Sequence, residues 1–285
     1  MKKTILLGLV GLSAMTLAAC SNGQSSKETT WDNIKKDGVL KVATPATLYP
    51  TSYYDDHKKL TGYEIDMMKA IAKKLKIKVK FVEVGVAESF TSVDSGKVDV
   101  AVNNFDTTPE RLKKDNFSQP YKYSVGGMIV RADGSSKITA KDLSDWKGKK
   151  AGGGAGTQYM KIAKQQGAEP VIYDNVTNDV YLRDVSTGRT DFIPNDYYTQ
   201  VIAVKYVTKQ YPDIKVKMGD VKYNPTEQRI VMSKKDKSLK TKIDAAIKDM
   251  KKDGSLKKIS EKYYAGQDLT KEPAGTDKIP VIKVK

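Results

Sequence analysis

The sequence predicts an α/β protein made of two units, each an open sheet flanked by helices. Short apolar runs of strand length alternate with segments whose apolar residues recur at helical spacing. That rhythm restarts near Gly126, and a late strand-like run at residues 229–232 rejoins the first unit. In the first unit, Val39, Leu40, Val42 and Ala43 mark a buried strand, and a turn-rich segment at residues 44–54 follows with Pro45 and Pro50. Ile65, Met68, Ile71 or Ala72, and Leu75 lie on one helical face. Val79, Phe81 and Glu83 alternate as a strand does, residues 90–94 form a short helix, and residues 98–102 form the next strand. A β-α-β-α-β order implies a parallel open sheet whose ligands bind beyond the carboxyl ends of its strands.

In the second unit, residues 128–131 and 149–152 are strands separated by a short helix at 140–146. Gly152, Gly153, Gly154 and Gly156 turn into a helix at 158–166, followed by a strand at 171–173 and a helix at 178–187. A strand at 190–193 and a helix at 197–207 complete the unit. Two further helices carry apolar faces at Leu239, Ile243, Ile247 and Met250 and at Leu256, Ile259 and Tyr263, with Gly254 between them as a C-terminal cap. Residues 271–285 are polar, contain prolines and need not belong to the core.

The N-terminus carries an export signal. Lys2 and Lys3 form a positive region, and residues 5–17 are apolar but too short to span a bilayer comfortably. The stretch ends in Leu17-Ala18-Ala19-Cys20, which resembles the lipobox of bacterial lipoproteins. That resemblance implies cleavage before Cys20, a diacylglycerol on its thiol and a place on the outer face of the cell membrane; the alternative is a secretory signal with an incidental cysteine. Cys20 is the sole cysteine, so an intrachain disulfide is excluded. Residues 20–37 read as a lipidated cysteine and a flexible tether, and no later run is apolar enough to cross a bilayer.

The formal net charge is +16 and falls to +14 once residues 1–19 leave with Lys2 and Lys3. Lysine pairs are scattered and no nucleic-acid fingerprint appears, which argues against a nucleic-acid partner. The basic surface either attracts anionic wall or matrix polymers or is simply solvated. His57 is the sole histidine and lies in a polar turn, so neither a Ser-His-Asp triad nor a histidine metal site can be built around it. The glycine run at 152–154 lacks the Gly-Lys-Ser/Thr ending of a phosphate loop, which removes a nucleotide site. No cofactor or metal is expected.

The most informative stretch runs from Asn103 to Arg111. It leaves a strand end, passes Asn104, Asp106, Thr107 and Thr108, and closes on an arginine. An exposed strand end offers backbone groups, a carboxylate or hydroxyl faces an ammonium, and a guanidinium fork takes a carboxylate through two parallel hydrogen bonds. Those are the needs of a free amino acid. The duller reading is a surface pair of Arg111 with Glu110 or Asp115.

From about Gly38 to Gly266 the chain resembles the extracellular solute-binding proteins for polar amino acids that feed ABC importers. The marks are Leu60-Thr61-Gly62-Tyr63-Glu64-Ile65-Asp66, Ser95-Gly96-Lys97-Val98-Asp99, Thr108-Pro109-Glu110-Arg111, Phe117-Ser118-Gln119-Pro120-Tyr121, Gly156-Thr157, Gly188-Arg189-Thr190-Asp191 and Asp253-Gly254-Ser255-Leu256. The resemblance implies a two-lobed periplasmic-binding-protein-like (type II) fold, hinged on two crossing strands and monomeric, with residues 38–124 plus 222–266 in one lobe, 125–221 in the other and 267–285 as a tail. It implies that Arg111 takes the ligand carboxylate, joined by the backbone of Thr157 and Gln158, and that Asp196 pairs with the ammonium. Asp106 stands where relatives carry serine or threonine beside the ammonium, and Asn104 belongs to the same turn. Tyr49 and Tyr53 would wall the side-chain pocket. Pro45 and Val86 depart from the acidic and aromatic residues common at those places. Asp106 beside Asp196 favours a ligand with added ammonium character, such as cystine. Asn103, Asn104 and the basic charge also resemble basic surface-located proteins of lactic acid bacteria, which leaves a surface adhesin as the second reading. An enzyme on the same fold is the third, and no catalytic grouping supports it.

Overall fold

The computed structural model describes residues 30–139, 143 and 146–284. The lipobox and the helix expected at 140–146 fall wholly or largely outside the described residues. In chain order the elements are α1 (Thr30–Asp37), β1 (Val39–Thr44), β2 (Thr47–Leu48), β3 (Ser52–Tyr54), β4 (Leu60–Thr61), α2 (Tyr63–Lys74), β5 (Lys78–Glu83), α3 (Glu88–Asp94), β6 (Val100–Ala101), α4 (Pro109–Lys114), β7 (Asp115–Phe117) and β8 (Lys122–Arg131). Then follow β9 (Lys150–Gly153), α5 (Gln158–Gln165), β10 (Glu169–Ile172), α6 (Asn178–Thr187), β11 (Phe192–Asp196), α7 (Tyr197–Gln210), β12 (Val216–Gln228), β13 (Val231–Ser233), α8 (Lys237–Lys252), α9 (Ser255–Tyr263) and a 3-10 turn at Thr276–Lys278.

Two five-stranded sheets organise the chain, in the orders β5-β1-β6-β13-β7 and β10-β9-β11-β8-β12. In the first, β1 pairs in parallel with β5 and β6, as the β-α-β order requires. The expectation of a wholly parallel sheet needs correction, because β13 enters antiparallel to both β6 and β7. The helical faces read from the sequence cover this sheet: Met67, Met68 and Ile71 of α2 and Leu239, Ile243, Ile247 and Met250 of α8 are buried in one cluster with Leu40 and Val42 of β1. The second sheet has its own cluster, in which Trp146, Ile162 and Phe192 are fully buried.

Two long antiparallel strands, β8 and β12, join the sheets. They stay paired from Lys122↔Gln228 to Arg131↔Val216, with register shifts at Met218/Lys222 and Tyr223/Pro225. The sequence suggested only the far end of β8 and nothing of β12. Gly219, Pro225 and the bulges interrupt the two-residue alternation by which a strand is recognised.

Three further segments differ from expectation. The tether expected through residue 37 ends earlier, because α1 buries Ile34 to 3% exposure and rests Trp31 against the first core. The turn-rich segment at 44–54 folds with β4 into a small antiparallel sheet, β2-β3-β4. Residues 267–284 are tied to the body, with Leu269 buried in the first core and Ile282 and Val284 packed on the second.

Candidate functional site

The turn after β6 is shaped from behind by a buried carboxylate. Gly62, at φ 129°, lies so close to Thr51 that a Cβ would stand 2.3 Å from its carbonyl oxygen, which lets α2 start against the turn that leads into β3. Glu64, in the first turn of α2, is fully buried and accepts from the backbone N–H of Asn104 and from the Tyr121 hydroxyl. Burial pushes the Glu64 carboxyl up, while those donors and the Lys122 charge oppose the rise. Asn104 sits at φ 54°, a left-handed turn that asparagine tolerates. Asp106 then forms an isolated bridge with Gln228, and the Arg229 N–H donates to the Phe105 carbonyl.

Thr108 caps α4, its hydroxyl accepting from the Arg111 N–H at 3.2 Å, with Pro109 at the first helical position. That cap sends the Arg111 side chain back toward Asp106. Its Nη1 donates to Asp106 Oδ1 at 3.0 Å and to the Asp106 carbonyl at 3.2 Å, and its Nη2 reaches the Gly156 carbonyl of the opposite lobe at 3.0 Å. The guanidinium lies 4.6 Å from the centre of the Phe90 ring.

Across the cleft, Thr157 caps α5 by accepting from the Met160 N–H at 3.3 Å. Two of the glycines before it, Gly152 and Gly153, sit at close approaches. A Cβ on Gly152 would stand 2.5 Å from Ile193 Cδ1, and one on Gly153 would stand 2.6 Å from Met160 Sδ.

Between these walls lies a cavity of about 110 Å³, lined by Asn103, Asn104, Asp106 and Arg111 on one side and by Gly153, Thr157, Tyr159 and Asn195 on the other. Leu48, Val86 and Ile193 give it apolar surface. Asn103 Oδ1, Asn104 Oδ1 and Asp106 Oδ2 are buried and have no hydrogen-bond partner. Buried polar atoms are normally satisfied, so three such acceptors beside one guanidinium suit a molecule that carries both N–H donors and a carboxylate. Burial and the nearby Asp196 charge raise the Asp106 carboxyl to about 6, against the pull of Arg111. It therefore ionises close to neutrality.

The structure gathers Arg111, Asp106, Asn104 and Thr157 around this cavity. Gln158 opens α5 outside the lining. Asp196 also stands outside it. Its side chain is fully buried, with Oδ2 accepting from Lys122 Nζ at 2.8 Å and Oδ1 from the Thr199 N–H at 2.8 Å. Burial opposes ionisation there, but the Lys122 charge and these hydrogen bonds hold the carboxyl below the usual range. Asn195, one residue earlier, lines the cavity instead. Tyr49 and Tyr53 are likewise displaced from the expected wall. They line a neighbouring cleft of about 220 Å³ with Tyr206, on which Tyr49 stacks at 4.0 Å. Sequence reasoning missed Asn195, Tyr159 and Lys122. The two-residue period of β11, which sets Ile193 and Asn195 on one face, was the signal available for Asn195.

Residues 40–266 match the bacterial extracellular solute-binding proteins, family 3. The chain belongs to that family. Its probable ABC transporter extracellular-binding relative YckB of Bacillus subtilis is 46% identical over 276 residues, covering 95% of this chain and 94% of its own length. The L-cystine-binding protein TcyA of the same bacterium is 31% identical, covering 95% of this chain and all of its own length. The crystal structure of the substrate-binding protein AbpA from Streptococcus pneumoniae, bound to L-arginine, superposes with a TM-score of 0.71 at 26% identity, covering 82% of this chain and 98% of that one. Family members are solute-binding proteins of amino-acid ABC importers rather than enzymes. The two-lobed α/β fold is shared with these structural neighbours. No described helix is long and apolar enough to cross a membrane, and no described group of acidic, histidine or cysteine residues could hold a metal ion.

Proposed function

We propose that this chain captures a free amino acid between its lobes and hands it to a membrane permease, held at the outer face of the cell membrane through a lipid on Cys20. The carrying observation is the pairing of Arg111 with three unpartnered acceptors in one interlobe cavity. Arg111 takes the α-carboxylate, exchanging its reach to the Gly156 carbonyl and part of its hold on Asp106 for two parallel bonds to the ligand. The Asp106 carboxylate and the Asn103 and Asn104 side-chain oxygens take the ammonium. Asp196, already paired with Lys122, contributes through the field it adds at Asp106 and by fixing the start of α7. One carboxylate and two amide oxygens suffice for the α-ammonium of any amino acid, and cystine is the one we favour on the likeness to TcyA.

A thermal-shift screen of all amino acids and cystine tests this, on protein lacking residues 1–20 that has been unfolded and refolded to strip carried ligand. A ligand at about 100 times its Kd stabilises the native state by about 2.7 kcal/mol, a shift of several degrees. A shift confined to one or a few amino acids is the expected outcome. No shift from any of them overturns the reading. The scattered lysines support salt-sensitive polymer binding as a second activity, and such binding by protein that ignores amino acids would put adhesion first.

A further inference from the structure

The family match stops at residue 266, yet the next eighteen residues are built into both lobes. The segment leaves α9 through the Ser260 hydroxyl, which donates to the Gln267 carbonyl at 2.8 Å and accepts from the Leu269 N–H at 2.9 Å. Leu269, 3% exposed, enters the first core, and its carbonyl accepts from the N–H of Tyr123 on β8 at 2.8 Å. The chain then turns at Thr276–Lys278 and crosses to β12.

Asn224 receives it there. Asn224 is 5% exposed and adopts φ 43° at the Tyr223/Pro225 bulge. Its N–H donates to the Pro280 carbonyl at 2.8 Å. Its side chain takes both backbone groups of one residue, Nδ2 donating to the Ile282 carbonyl at 2.9 Å and Oδ1 accepting from the Ile282 N–H at 2.6 Å. Beyond it, Ile282 and Val284 rest on the cluster that contains Trp146, and Gln165 of α5 donates to the Lys283 carbonyl at 2.8 Å.

The segment is thus anchored on the first core, on both hinge strands and on the second core. It is seated while the lobes are together. Arg111 reaches Gly156, Glu110 pairs with Lys161 at 2.6 Å and the Tyr49 N–H meets Asn178 Oδ1 at 2.9 Å, all across the cleft. Opening the cleft rotates the second lobe about β8 and β12, and a segment fixed on both sides of that axis must shift with it.

We propose that residues 267–284 act as a strap that holds the lobes together, so that the seating of Ile282 and Val284 sets the balance between open and closed forms. The ligand then binds a protein already biased toward closure. Apparent affinity falls in proportion to the closed fraction, so a tenfold loss of closure weakens binding about tenfold. The strap does not depend on which ligand the cleft takes.

Two variants test it. Deletion of residues 278–285 removes the outer anchor but keeps Leu269 and Thr276. Asn224→Gly keeps the positive φ and loses the two side-chain bonds. The readouts are small-angle X-ray scattering of ligand-free protein and, in a Trp31→Phe background, the emission of Trp146. The strap predicts a larger radius of gyration and red-shifted emission in both variants, with melting still cooperative. If the deletion does not fold, Asn224→Gly decides. Unchanged scattering and emission, or a more compact protein, overturn the proposal. Neither readout needs ligand, so a failed amino-acid screen leaves this test standing.

Discussion

Replacing Arg111 with methionine removes the guanidinium while keeping an apolar stem over Phe90. Two charge-assisted bonds to the ligand carboxylate are lost, and at about 1.5 to 3 kcal/mol each the loss is about 3 to 6 kcal/mol, or roughly 10²- to 10⁴-fold in Kd. Stability should fall much less. The Arg111 side chain is 14% exposed and belongs to a six-residue helix with no buried residue, and the Asp106 carboxyl can take up a proton once its partner has gone. Isothermal titration with the amino acid that gives the largest thermal shift reads affinity, and urea unfolding of the same preparation reads stability. An affinity within threefold of the wild type, with the fold intact, would mean that the cavity around Arg111 is not the carboxylate site.

Four further outcomes follow from the same geometry. Asp106 lies above its unfolded value at about 6, so an ammonium bound to its ionised form is held above that pH and released as pH falls through it; titrations between pH 7.5 and 4.5 should show binding weakening toward acid, and Asp106→Asn should flatten the profile. Lys122→Met strands the fully buried Asp196 carboxylate and should cost about 3 to 5 kcal/mol in urea unfolding, part of which Lys122→Met with Asp196→Asn restores; a neutral single variant would contradict the buried pair. Gly62→Ala forces a Cβ against the Thr51 carbonyl at a φ that alanine rarely adopts, so it should destabilise by more than about 1 kcal/mol and loosen the turn that Glu64 holds. Cys20→Ala should release the protein from the membrane into the medium, and retention on washed membranes would point to an anchor other than a lipid on that thiol.

The path of the chain from Asn104 through Asp106 to Arg111 was legible because local rules govern it, whereas Thr157 came only from the family resemblance. A strand end, a hydroxyl at a helix cap, a proline just after it and an arginine three residues beyond the cap leave little freedom in where the guanidinium goes. The helices of the first lobe were legible for a similar reason, since Met68 and Ile71 or Ile243 and Ile247 repeat a face that must be buried. Strand β12 was not, because its pairing with β8 depends on a partner about a hundred residues away and its bulges erase the alternation. The C-terminal segment was hidden for the opposite reason. Leu269, Ile282 and Val284 are too widely spaced to suggest any element, and only the cores that receive them give them a place.

Asp196 shows where motif position and physical position separate. A motif places a residue along the chain, but a strand then assigns it a side, and in β11 the side toward the cavity belongs to Ile193 and Asn195. The carboxylate one residue on would be a costly unpaired charge in the interior without the Lys122 ammonium 2.8 Å away. That lysine lies at the start of β8 and is itself fully buried, with its charge pressed down by burial and held up by Asp196 and Glu64. A carboxylate committed in this way is a poor first partner for an incoming ammonium, because breaking the pair would strand a buried lysine. Asp106 carries the opposite balance: one oxygen is spent on Arg111 and the other is buried without a partner. Of the two carboxylates, Asp106 is the one that gains most from a ligand, and Asp106→Asn should therefore weaken amino-acid binding more than any change at Asp196 that leaves the fold intact.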